Sequence, residues 1–322
     1  MNKLVFFTSM VAALSLLALE NIVGIHWDFH PDAITYTTDS FEMVENLLEA
    51  GFFASFNNFY YFFAAILQQN VTFLVILNII VYALTNLSIF KYIKNNAELG
   101  NIKFDAKLML FLGCILYMPY RLHLAVHVLK DTLIIFFLIQ LLSKNKIKLL
   151  LSSFFMIGLR LFSFMYLSVL IKKKYFYTGA FLVGIVVIFI NQQMVELIES
   201  RNDIDMVFRE FDIVPNFATY GLLGSLVRAI VWPIFAFTGT YLLFSPSIAF
   251  VPIAIGSMAM CIISFWAYKI PAINLQSLII FGIIAMLTSG FTTYIRYCFP
   301  LLILAPILQF KAYAEAQHSV HK

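Results

Sequence analysis

Charge is scarce in this chain. Asp, Glu, Lys and Arg make up 12% of its 322 residues, about half the share of a soluble domain, which excludes water as the solvent on every side. Cysteine is scarcer still. Cys114, Cys261 and Cys298 lie far apart, each inside an apolar segment, so they read as packing residues and not as a disulfide framework or a metal cage. No small-x-small cleavage site followed by a polar mature domain appears after the first apolar run, so Met1–Glu20 is expected to be a retained first helix. What the chain has in abundance is apolar surface, with 62% hydrophobic residues and a mean hydropathy of +0.90. In lipid every backbone polar group must be satisfied internally, which leaves helices or a closed barrel. The apolar runs are continuous over about 15–22 residues, whereas barrel strands alternate over about 10. The expected fold is an all-α polytopic membrane bundle, a single transmembrane domain over 1–322 with outer loops at 23–70 and 193–221.

The basic residues set the expected topology. No Lys or Arg occurs between Lys3 and Lys91, while Glu20, Asp28, Asp32, Asp39, Glu42, Glu45 and Glu49 crowd the first loop. Lysines then gather at 91–107, 144–148, 172–174 and 269 and in the C-terminal tail. The positive-inside rule places these clusters in the cytoplasm, with both termini inside and about eight full crossings. Parity makes Phe52–Leu67 an interfacial helix on the outer side. It also makes Leu149–Ile171 a broken hairpin entering from the inside, with Arg160 near its tip; such backbone is tolerated at depth only when buried in protein or beside water.

Three groups of residues are candidates for chemistry. In the first outer loop, His26, Asp28, His30 and Asp32 fall on one side if the backbone is extended, a row suited to a divalent metal or a general base. On a helix, His123, His127 and Lys130 or Asp131 stack into one polar stripe. Ionisable groups at that depth are functional candidates by default, and His123, His127 and Asp131 form a potential zinc set. Arg160, Arg228 and Arg296 stand alone in apolar segments, and a guanidinium fits phosphate oxygens through its planar fork.

Three separated patterns resemble the multi-spanning enzymes of bacterial surface-polysaccharide synthesis, namely the GT-C-fold glycosyltransferases and the repeat-unit (O-antigen, Wzy-type) polymerases. They are Pro31-Asp32-Ala33-Ile34-Thr35-Tyr36 with a later span containing Asn78, then Pro119-Tyr120-Arg121 through Lys130-Asp131, and Gly290 through Arg296 to Pro300. The resemblance implies a GT-C-like bundle in the bacterial inner membrane, with its active site facing the periplasm. It implies transfer of sugar from a polyprenyl-(pyro)phosphate carrier, by repeat-unit polymerisation or, alternatively, by addition of a polyprenyl-phosphate monosaccharide. A precursor transporter or flippase is the more remote alternative. On this resemblance Asp32, with Asp28 and Asp39 beside it, is the expected base. Arg121, Lys130, Arg160, Arg228 and Arg296 would meet phosphate, supported by His26, His30, Tyr36, His123, His127 and Asp131. Membrane lipid, a chain-length regulator and a flippase are the expected partners, nucleic acid is not, and the only cofactor in view is a divalent metal.

Overall fold

The computed structural model describes residues 1–51, 55, 58–160, 163–171, 173–189, 221–238, 251–288 and 291–320. These are predominantly helical, with no strand among the described residues. In chain order the helices are α1 (Asn2–Ile22), α2 (Pro31–Thr38), α3 (Ser40–Ala50), α4 (Phe59–Ile66), α5 (Val71–Leu99), α6 (Ala106–Leu116), α7 (Pro119–Val126), α8 (Asp131–Gln140) and α9 (Lys146–Leu159). They continue with the single-turn α10 (Phe164–Leu167), α11 (Lys173–Phe189), α12 (Gly221–Thr238), α13 (Val251–Tyr268), α14 (Leu275–Leu287) and α15 (Phe291–Val320). The loop expected at 193–221 lies almost wholly outside the described residues, as does Gly290 of the third pattern.

Among the described residues, five stretches are long and apolar enough to cross a membrane: Asn2–Ile22, Val71–Leu99, Ala106–Val126, Gly221–Thr238 and Tyr294–Ser319. Asp131–Gln140, Ala254–Tyr268 and Leu275–Leu287 are apolar but shorter. The direction in which the helices face fits a lipid surround. On α1, Leu4, Phe7, Val11 and Leu14 share one face at helical spacing and are exposed, while Ser9, Ala13 and Glu20 turn inward. On α5, Phe73, Ile76, Ile80 and Leu84 face out, while Asn78, Thr85 and Asn86 are buried. Large side chains outside and small or polar ones inside is the reverse of a water-soluble helix, and it fits a helix whose outer solvent is hydrocarbon.

The chain divides into two compact units, residues 1–164 with 310–322, and residues 165–309. In the first, α1 packs along α5 and α7, α5 also lies against α8, and α8 packs on α9. Two breaks interrupt the path from α6 to α8, at Tyr117–Met118 and at residues 127–130. Each break frees helix carbonyls that must find donors. Asn78, Tyr82 and Asn86, at i, i+4 and i+8 on α5, present one polar stripe that supplies them. Asn78 Nδ2 donates to the carbonyls of His127 (2.7 Å) and Leu129 (3.0 Å). The Tyr82 hydroxyl and Asn86 Nδ2 donate to the carbonyl of Leu116 (2.7 and 3.1 Å), and Asn86 also donates to Ser9 Oγ of α1. Pro119 opens α7 at the position where a missing N–H is harmless.

Close backbone approach sets two further contacts. A Cβ on Gly100 would stand 2.7 Å from the carbonyl oxygen of Ala314, so the end of α5 can touch α15 only without a side chain there. A Cβ on Gly158 would fall 2.2 Å from the Phe59 ring, which packs flat onto α9. In the second unit, α12 packs on α14 and α13, and α11 on α14. Arg228 of α12 is wholly buried there, donating to the carbonyls of Thr288 (3.0 Å) and Met286 (3.3 Å) with its guanidinium over the Trp232 ring.

Candidate functional site

The site forms in the first unit, where α1, the 26–38 segment and α7 meet. Glu20 lies in the last full turn of α1 and is buried. Its Oε1 accepts from His123 Nδ1 (2.8 Å) and its Oε2 from His127 Nε2 (3.0 Å). An ionised carboxylate only accepts, so both facing nitrogens carry hydrogen, and both imidazoles have a fixed tautomer. That leaves His123 Nε2 and His127 Nδ1 as bare acceptors. His123 Nε2 meets His30 Nε2 at 2.9 Å, which makes His30 the donor. His127 Nδ1 is buried and has no hydrogen-bond partner among the described residues.

One ring nitrogen from each of the three histidines lies within 4.8 Å of the other two. The Phe29 ring covers the group, its centroid 5.1 Å from that of His30, 5.8 Å from His123 and 6.1 Å from His127. Tyr120 stacks on the His123 ring at 6.1 Å.

A second buried group lies just beyond the helix break. Asp131, the first residue of α8, takes an ion pair from Arg160 Nη2 at 2.8 Å, with both side chains almost fully buried. Arg160 caps the C-terminal end of α9, its own backbone extended, so the segment 149–171 is broken at this residue. Tyr60 of α4 is buried nearby. Burial, with the Asp131 charge adding to it, pushes its hydroxyl well above the ordinary range. Burial also raises Tyr61, and the charges of Asp32 and Asp39 add to it. Both phenols therefore stay protonated donors at neutral pH. Alongside, Leu47, Leu48, Phe59, Phe62, Phe63 and Phe155 line an apolar cavity of about 530 Å³.

Several expected placements change. Residues 26–32 are not an extended row. A 3-10 turn covers Trp27–Phe29 and α2 begins at Pro31, because proline at the first helical position with Asp32 in the first turn is a strong helix start. His30 alone of that row joins the cluster, whereas His26 is exposed beside Asn21. Asp32 is half-buried in the first turn of α2, and Asp39 is exposed and accepts from Thr38. For Asp28 only the backbone turn is described.

The stripe 123–131 is not one helix either. Its backbone turns extended at His127, so Asp131 goes to Arg160, and the third member of the histidine group is His30. Tyr36 is buried edge-on against Tyr60 and Tyr61. Arg121, expected at phosphate, is buried under α6, where its Nη1 donates to the carbonyl of Ile115 (2.7 Å) and its guanidinium lies over Tyr82. Its donors thus serve a helix end. Lys130 is half-buried before α8. Arg228 serves carbonyls of the second unit as described above, and Arg296 is half-buried in α15.

Glu20 is the member that sequence reasoning passed over, grouped with the loop acids although it is still inside an apolar helix. A carboxylate in the last turn of a spanning run, with two histidines four apart elsewhere, is the signal that would have found it. No protein-family model, no curated protein and no solved structure matches the chain.

Proposed function

We propose that the protein is a membrane glycosyl-transfer enzyme of surface-polysaccharide assembly, acting on sugars carried by a polyprenyl (pyro)phosphate. The observation that carries this reading is the burial of two ionisable groups, Glu20 with His30, His123 and His127, and Asp131 with Arg160, drawn from four separate stretches of an apolar helical unit. Buried ionisable groups in such a setting are costly and mark a substrate path by default. The resemblance of the Pro31–Tyr36 and Lys130-Asp131 segments to polysaccharide polymerases supplies the substrate class. The apolar cavity beside Phe59 is of a kind that accepts an isoprenoid chain, and Lys130 adjoins Asp131 of the buried pair whose cation is Arg160.

In this reading Asp32 orients or deprotonates the acceptor hydroxyl, and the cations stabilise charge on the departing phosphate. The enzyme sits in the bacterial inner membrane with about eight crossings, cytoplasmic termini and a GT-C-like bundle whose site opens to the periplasm. It works with a flippase and a chain-length regulator. Repeat-unit polymerisation is the preferred form, following that resemblance. Asp32→Asn, expressed in cells lacking the native copy, is expected to abolish the long-chain polysaccharide ladder while protein level is maintained. An unchanged ladder refutes the role of that loop. Purified protein that adds single sugars but never extends lipid-linked repeats would shift the assignment to the monosaccharide transferase.

A further inference from the structure

We infer that His30, His123 and His127 form a binding site for one divalent transition-metal ion of zinc type, with Glu20 as the carboxylate that orients two of its ligands. The inference stands on the geometry of this cluster and does not depend on the sugar-transfer reading.

Neutral imidazoles are the common protein ligands for zinc, copper, nickel and iron, and three of them leave a coordination position open. Here three ring nitrogens already lie within 4.8 Å of one another. On two of the three rings the tautomer also suits a metal. Glu20 holds a hydrogen on His123 Nδ1 and on His127 Nε2, so the opposite nitrogen of each ring is bare. Metal-bound histidines usually donate their other N–H to a carboxylate in this way, which fixes the ring and raises its basicity. A single carboxylate serving two such rings is a stiffer support than either histidine would have alone.

The most telling atom is His127 Nδ1. It is a lone pair in a residue only 1% exposed, with no donor near it among the described residues. A purely structural network would be expected to bring a donor there. Meanwhile His30 Nε2 and His123 Nε2 stand 2.9 Å apart. Two nitrogens on a tetrahedral zinc with bonds of about 2.05 Å are separated by about 3.3 Å, so a small opening admits the ion. For the metal to enter, His30 changes to its other neutral tautomer, the proton moving from Nε2 to Nδ1 by exchange with solvent, so that neutral imidazole is the ligand on all three residues. His30 and His123 are only half-buried, so this edge of the cluster is where an ion and a fourth ligand would reach it, with Phe29 shielding the rings.

The test uses the full chain, purified through a tag without histidine, reconstituted in lipid nanodiscs, stripped with chelator and reloaded with Co²⁺ or Zn²⁺. One equivalent of metal is expected per chain, with the intense visible bands of tetrahedral cobalt. His30→Ala, at the half-buried edge, and His127→Gln are each expected to abolish the stoichiometric binding, and Glu20→Gln to weaken it about 10–100-fold. Elution volume and thermal unfolding of each variant establish that it is folded. A folded wild-type protein that takes up no stoichiometric metal overturns the proposal. So does binding that persists in a His30→Ala/His127→Gln double variant, since exposed His26 or the tail histidines would then be the ligands.

Discussion

Replacing either partner of the Asp131–Arg160 pair should unsettle the first unit far more than replacing both. The two charged groups meet at 2.8 Å with side chains only 2–3% exposed. Breaking a buried pair leaves one charge without its counterion, at a cost of about 3–5 kcal/mol. The two single replacements should not be equal. In Arg160→Met the stranded Asp131 can take up a proton and become neutral, whereas in Asp131→Leu the stranded guanidinium cannot lose its charge. Asp131→Leu is therefore expected to reach the upper end of that range and Arg160→Met the lower. The double replacement Asp131→Leu/Arg160→Met removes both charges and retains similar volume, so most of the loss should return. The assay is unfolding of the purified protein in mixed micelles by increasing SDS, followed by helical circular dichroism and tryptophan emission. Single variants that each lose less than about 1 kcal/mol, the value of an exposed pair, would refute the buried-pair argument. The double variant also separates fold from function: stable protein that retains the proposed glycosyl-transfer activity would assign the pair to architecture alone.

Two further outcomes follow from the packing. Asn78→Leu removes the donor to the carbonyls of His127 and Leu129 and should cost about 1–3 kcal/mol in the same titration, with slippage of the 127–130 turn seen as faster hydrogen exchange there. Gly100→Ala should cost about 1–3 kcal/mol because its Cβ meets the backbone of Ala314, whereas Gly113→Ala, with open space at its Cβ, should be neutral or stabilising by up to about 1 kcal/mol.

The helical character was legible because it rests on composition and on the length of apolar runs, and α1 lies close to the retained first helix expected over Met1–Glu20. The break at Arg160 was legible from charge parity alone, since lysines flank a stretch too short to cross twice. The two breaks between α6 and α8 were not. Apart from Pro119, nothing local interrupts the helix period there, and the reason lies 30 to 51 residues away, in the donors Asn78, Tyr82 and Asn86 that make broken ends tolerable. The site suffered the same blindness. Alternation in 26–32 was a sound reading only of an extended chain, and the carboxylate that fixes His123 and His127 comes from the first helix, about a hundred residues earlier.

The partners of residues 121–131 also bear on how the protein enters its membrane. Arg121, Lys130 and Asp131 fall within one short stretch, and on an isolated helix each would oppose insertion by about 2.5–3.5 kcal/mol at mid-bilayer. Glu20 and Asn78, which receive His123, His127 and the frayed carbonyls, have already left the ribosome when this stretch emerges. Arg160, the counterion of Asp131, follows 29 residues later. The segment is therefore poorly suited to partition alone. Asp131 meets its counterion only once α9 has followed it, so α8 and α9 form a charge-matched pair that either helix alone would lack.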